Sequence, residues 1–244
     1  MQAPFVINPR LDFYYLSERA VTIEFGHKID EGLLETLTDF NQYINHNPFP
    51  GFDTSIQAYT TITVFFDPLQ VIQSKELPGN DCFEKVCNYI LLTKEKKKTV
   101  DATNADIITI PVCYGGDLGP DIEEVANTNN LTIEEVIRLH SDAVYRVFMI
   151  GFIPGFAYLG GMNEKLSTPR KSAPRQQVPA GAVGIAGKQT GIYPLKTPGG
   201  WQIIGQSPIK LFDARRPKPS LLTAGDRVSF KPIDRSGFDL LMSE

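Results

Sequence analysis

The sequence predicts an α+β protein in two parts, a small α+β domain over residues 1–100 and a β-barrel domain over residues 101–244. Three observations carry this. Period-two apolar alternation and helix-spaced apolar stripes take turns in the first hundred residues. The run Lys94-Glu-Lys-Lys-Lys98 then holds no apolar residue, so a core cannot continue through it, and it marks a boundary near residue 100. Residues 151–205 hold 11 of the 20 glycines and 6 of the 18 prolines, too dense for long helices and suited to short strands joined by tight turns.

Taken in order, Val21, Ile23 and Phe25 alternate with Thr22 and Glu24, the pattern of a half-buried strand. Ile62, Val64 and Phe66 repeat it behind Thr61, Thr63 and Phe65. Between them Leu33, Leu37, Phe40 and Ile44 recur at helical spacing behind Asp30, a capping residue. A second helix opens at Asp81 with Glu84 completing a capping box, and it buries Phe83, Val86, Cys87, Ile90 and Leu91. The second domain begins with a strand from Ile107 to Val112 and a helix from Thr132 to about Ala143. Thr132 and Glu135 form its capping box, and Ile133, Val136, Ile137 and His140 share one face. Val183 to Ala186, Trp201 to Ile204, Ile209 to Phe212 and Arg227 to Phe230 are the clearest later strands.

Composition narrows the function classes. With 24 basic against 28 acidic residues the net charge is -4, which argues against wrapping nucleic acid as the main task. No apolar run reaches the roughly 18 to 20 residues that span a bilayer, and MQAPFVINPR lacks the layout of a signal peptide, so a cytoplasmic location is expected. Cys82, Cys87 and Cys113 form no CxxC pair and are expected as free thiols, Cys87 as a small core residue. His27, His46 and His140 are not paired at metal-ligand spacing, so no metal is expected on histidine or cysteine.

The chemistry concentrates in one stretch. Arg146, Lys165, Arg170, Lys171, Arg175, Lys188 and Lys196 face the single acid Glu164, a local charge of +6 inside a chain of -4. Among glycines that let backbone amides approach closely, this suits a small carboxylate or phosphate, with Arg170 and Arg175 fitted to bidentate contact; a solvated surface is the competing reading. Gly151-Phe-Ile-Pro-Gly-Phe-Ala-Tyr-Leu-Gly-Gly161 sets three aromatics among residues that weaken a strand, as a loop lining a pocket would; aromatic core filling competes. Gly181 to Thr190 fails as a phosphate loop, because Ala182 and Gln189 stand where a Walker A motif needs glycine and Ser or Thr. His140 on an apolar helix face is either a proton carrier or a hydrogen-bonded core residue.

These residues then show a resemblance. His140 through Tyr145, GFIPGFAYLGG, Thr168-Pro-Arg170, Ala173-Pro-Arg175, Val178-Pro-Ala-Gly181, Ile185 to Pro194 and Thr197-Pro-Gly-Gly-Trp201 together closely resemble the family of KipI and the B-type 5-oxoprolinase subunit (PxpB), also labelled allophanate hydrolase subunit 1. The motifs are dense over about residues 105–232. The resemblance implies a C-terminal cyclophilin-like β-barrel after the α+β domain. It also implies a KipA/PxpC-like partner subunit and a LamB/YcsF (PxpA)-like one.

Such assemblies are thought to open 5-oxoproline to L-glutamate with ATP and Mg, phosphorylation making a leaving group of the lactam oxygen. Carried over, the implied site is His140, Arg170 and Arg175 for catalysis, with Tyr145, Phe152, Pro154, Gly155, Phe156, Tyr158, Gln189, Thr190, Tyr193 and Trp201 around the substrate. The resemblance also leaves open a KipI-like inhibitor of a histidine kinase, and a carboxyltransferase-type subunit of a urea carboxylase or allophanate hydrolase system. Ala182 departs from the family pattern where serine is expected, as does Gln206-Ser207 where a basic residue and threonine are expected.

Overall fold

Apolar alternation in the N-terminal unit becomes a four-stranded antiparallel sheet in the computed structural model, which describes residues 11–28, 31–95 and 106–243. Its strands are β1 (Asp12–Ser17), β2 (Ala20–Glu24), β3 (Phe52–Gln57) and β4 (Thr61–Phe66), in the order β1-β2-β4-β3. Helices α1 (Glu31–His46), α2 (Pro68–Gln73) and α3 (Cys82–Glu95) complete the unit. Val21, Ile23, Ile62 and Val64 are fully buried together with Leu37 and Ile44 of α1 and Val86, Cys87 and Ile90 of α3. Burial pushes the Cys87 thiol up to about 12, as its place in the core requires.

Two details of this unit differ from the sequence reading. Leu91 of α3 is exposed, and Lys85 is buried instead, its ammonium donating to the Ser74 and Leu77 carbonyls at 2.6 and 3.0 Å. A lysine stem packs as an apolar chain once its charged end is satisfied by carbonyls, a possibility that hydropathy spacing does not register. The capping box also shifts. Asp81 accepts from the Glu84 amide at 2.8 Å, but the Glu84 carboxylate accepts from Asn80, one residue earlier than expected. Asp30 and most of the Lys94 to Lys98 run lie outside the described residues.

The second unit comprises β5 (Ile107–Tyr114), α4 (Ile122–Asn129), α5 (Ile133–Ser141), β6 (Val144–Ile150), β7 (Ala157–Gly160), β8 (Arg175–Val178), β9 (Ala182–Ala186), β10 (Gln189–Ile192), β11 (Thr197–Gly199), β12 (Gln202–Gln206), β13 (Arg227–Pro232) and α6 (Arg235–Met242). Seven strands close a barrel in the order β10-β7-β6-β13-β5-β12-β9, while β8 and β11 pair as a separate ribbon. Closure leaves no open sheet edge, and the β5–β13 pair is parallel where its neighbours are antiparallel. The two compact units are Met1–Thr103 and Asn104–Glu244.

The predicted strand Ile209 to Phe212 is absent. Pro208, Pro217 and Pro219 lack donors for a ladder, and the segment instead folds back on itself through Leu221 N to Leu211 O at 2.8 Å and Asp213 N to Pro219 O at 2.9 Å. Thr132 caps α5 as expected, with both arms of its capping box formed. Just before it stands α4, which the sequence reading missed.

Candidate functional site

The structure divides the sequence-derived site residues into two groups. His140, Tyr145 and Thr190 sit inside the barrel. His140 is fully enclosed; its Nδ1 lies 2.8 Å from the Tyr114 hydroxyl and its Nε2 2.9 Å from Thr190 Oγ1. Thr190 gives its one proton to the Gly184 carbonyl at 3.0 Å, so it accepts from His140 Nε2, and Tyr114 then donates to Nδ1. The ring is thus a neutral tautomer, stacked 4.5 Å from Phe230, and burial lowers its pKa to about 3. Tyr145 donates to the His140 carbonyl at 2.8 Å. A proton carrier must exchange with solvent or substrate, whereas this imidazole is fully enclosed and links α5 to β5 and β10.

The second group gathers on another face of the barrel. Phe156, Tyr193 and Trp201 are buried in one cluster with Val178, Ala182, Ala186 and Ile203, and Tyr158 packs against it. The rings meet edge to face, Phe156 standing 4.8 Å from Tyr158, 5.2 Å from Tyr193 and 5.4 Å from Trp201. Gly191 lies beneath them; a Cβ there would come within 3.0 Å of the Trp201 ring and 2.9 Å of the Ala157 carbonyl. Gly155 has φ +82°, and a side chain on it would strike Phe212, so this turn needs glycine. Phe152 adopts φ +68°, uncommon for an aromatic, and holds its ring 60% exposed beside Phe156. Pro154 is exposed on the same turn, and Gln189 is half-buried at the start of β10. Ala182 is fully buried in the apolar cluster, a place where a serine hydroxyl would need its own partner.

Two arginines border the aromatic cluster. Arg170 is exposed and, among the described residues, has no hydrogen-bond or ion-pair partner; its charge acts on Tyr158 and Tyr193. Burial raises both phenols above their ordinary range while Arg170 opposes the rise, so both stay protonated donors at neutral pH. Arg175 opens β8 and donates through Nη2 to Asp121 at 2.6 Å, but its Nη1 is buried with no partner among the described residues. A buried donor left unmatched costs roughly 1–3 kcal/mol, more when charged. Elsewhere in the basic stretch, Lys188 pairs with Glu164 at 2.6 Å, and Lys171 with Glu124 at 2.7 Å and Asp121 at 3.1 Å.

Asp121 is the residue that sequence reasoning missed. It precedes α4, a helix of eight residues whose apolar stripe is too short to stand out, and it lies some fifty positions from the arginine it holds. Its acidity was visible only as one more charge in Gly-Pro-Asp-Ile-Glu-Glu. Among the described residues, no group of three or more His, Cys, Asp or Glu side chains is placed to hold a metal ion.

Residues 11–222 match the family model of the carboxyltransferase domain, subdomain C and D. Over 235 residues, 96% of this chain and 98% of the other, the chain is 43% identical to the B-type 5-oxoprolinase subunit of Bacillus subtilis. The chain belongs to the family of B-type 5-oxoprolinase subunits. Among solved structures, this member of the family superimposes on TTHA0988 with a TM-score of 0.76 at 34% identity, covering 88% of this chain and 40% of that one. The Kluyveromyces lactis urea amidolyase gives a TM-score of 0.75 at 16% identity over 96% of this chain and 15% of that one, a likeness of fold alone. The shared fold spans both units, so the α+β domain and the barrel are features of the family. No helix among the described residues is long and apolar enough to cross a membrane.

Proposed function

We propose that this chain is the B-type subunit of a 5-oxoprolinase, and that the arginine and aromatic cluster beside β8 and β10 binds 5-oxoproline while an assembly with KipA/PxpC-like and LamB/YcsF (PxpA)-like subunits opens it to L-glutamate. The observation that carries the binding reading is the pair of arginines with unspent donors beside two protonated tyrosines. 5-Oxoproline brings one carboxylate and a small ring. The two guanidinium groups match the carboxylate, the Tyr193 hydroxyl is a donor for the lactam oxygen, and the aromatic edges cover the methylenes.

In this reading ATP with Mg supplies the phosphoryl group that turns the lactam oxygen into a leaving group. The chain has no Walker A loop, so any nucleotide is bound by another scheme or by another chain; the residues of this site bind and orient the substrate and exclude water, and the arginines add positive charge where negative charge develops. His140 takes part as the group that fixes Thr190 and β10. The urea carboxylase alternative rests on more distant relatives and on a likeness of fold.

The test is release of ADP and glutamate from 5-oxoproline and ATP by the purified chain mixed with both partner subunits, beside mixtures lacking each one. Activity only in the full mixture supports the proposal. A fully assembled complex that leaves 5-oxoproline intact overturns it.

A further inference from the structure

We infer that Asp121, assisted by Glu124, is a positioning residue that aims the arginine-bearing segment at the ligand. The inference rests on the binding role proposed for Arg170 and Arg175.

Asp121 is 3% exposed and stands at the N-cap of α4, where an aspartate ordinarily accepts from its own helix. Here it makes no such bond. Its carboxylate is turned away from the helix to accept from Arg175 Nη2 at 2.6 Å, the Ile203 amide at 2.6 Å and Lys171 Nζ at 3.1 Å. The Asp121 amide in turn donates to the Ile203 carbonyl at 2.8 Å, so the residue is clasped to β12 from both sides. Asp121 Oδ1 thus holds Arg175 at Nη2, and Nη1 is a buried donor without a partner among the described residues.

Arg170 is held through its neighbours. Gln202, 2% exposed, donates to the Pro169 carbonyl at 3.1 Å and to Glu124 at 3.0 Å. On the other side, Lys171 donates its amide to the Gly200 carbonyl at 2.8 Å and its ammonium to Glu124 at 2.7 Å. The backbone is therefore pinned immediately before and after Arg170, while its own guanidinium stays unpaired among the described residues. A segment pinned on both sides of Arg170 and at Arg175, with the Arg170 donors exposed and one Arg175 donor buried without a partner among the described residues, is organised for an anion that arrives from outside.

The test uses the assembled complex and 5-oxoproline. Asp121→Asn keeps the shape but removes the charge and places an amide donor against the donors it once accepted. We expect KM for 5-oxoproline to rise about tenfold with kcat within about twofold. Arg175→Ala should raise KM as well, and the double variant should be no worse than Arg175→Ala alone, because Asp121 acts through Arg175. Glu124→Gln, at a more exposed position, should give a smaller rise in KM and serves as the deciding variant if Asp121→Asn does not assemble. Losses that simply add in the double variant, or an unchanged KM in Asp121→Asn or, where that variant does not assemble, in Glu124→Gln, overturn the positioning role. An unchanged KM in Arg175→Ala overturns the binding reading itself.

Discussion

Among the described residues, Lys171, Arg175 and Lys188 of the basic stretch each pair with a carboxylate. Arg170 does not, which is why substitution there should separate binding from folding. Arg170→Ala is expected to raise KM for 5-oxoproline about 10- to 100-fold, the worth of a charged hydrogen bond, while shifting stability by less than about 0.5 kcal/mol. Steady-state kinetics and a thermal melt read the two effects.

His140 behaves in the opposite way. Its pKa is lowered in the folded chain by burial, to about 3. The stability it contributes is therefore fully present above its unfolded value of roughly 6.5 and is lost as pH falls from there toward the folded value, by about 1.4 kcal/mol per pH unit. NMR should show its ring signals constant between roughly pH 8 and 5, where an unperturbed histidine titrates. A ring that titrates in that window would mean the Tyr114 and Thr190 contacts are not held in solution.

At the scale of elements, β7, β9 and β10 set the aromatic face, and Gly191 is the point where they meet most closely. Gly191→Ala forces Trp201 or the Ala157 backbone aside and should destabilise the barrel by about 1–3 kcal/mol. Trp201 is the chain's one tryptophan, so a shifted emission maximum would report the displacement directly. The capping box at Thr132, and the Asp81 half of the one at α3, were legible because their residues are three apart and the chemistry is local. The missing strand at Ile209 to Phe212 was a misreading of apolar residues whose prolines spoil any ladder, a local signal that was present and outweighed by hydropathy. The clasp of α4 on the arginine segment left no local signal, since Asp121, Arg175 and Ile203 are brought together only by the closed barrel.

For the whole molecule, each compact unit carries its own hydrophobic core, one around Ile23, Val64 and Ile90 and the other around Tyr145, Ile185 and Val228. Trp201 belongs to the second. Tryptophan emission should therefore follow the barrel alone while far-ultraviolet circular dichroism follows both units. Denaturant melts by the two probes should give different midpoints, and coincident curves would show that the units unfold as one.

The sequence by itself determined the strand and helix alternation of the first unit, the turn-rich strands of the second, the basic and aromatic residues of the candidate site and the family they belong to. These are properties of spacing and composition that the local chain enforces. Only the tertiary structure decided that His140 is sealed inside the barrel while Tyr158, Tyr193 and Trp201 gather elsewhere. It alone showed that Arg175 is held by a carboxylate some fifty residues away while Arg170 is left unpaired among the described residues. Burial and charge pairing depend on which distant segments the barrel closes together, and no window along the chain contains that information.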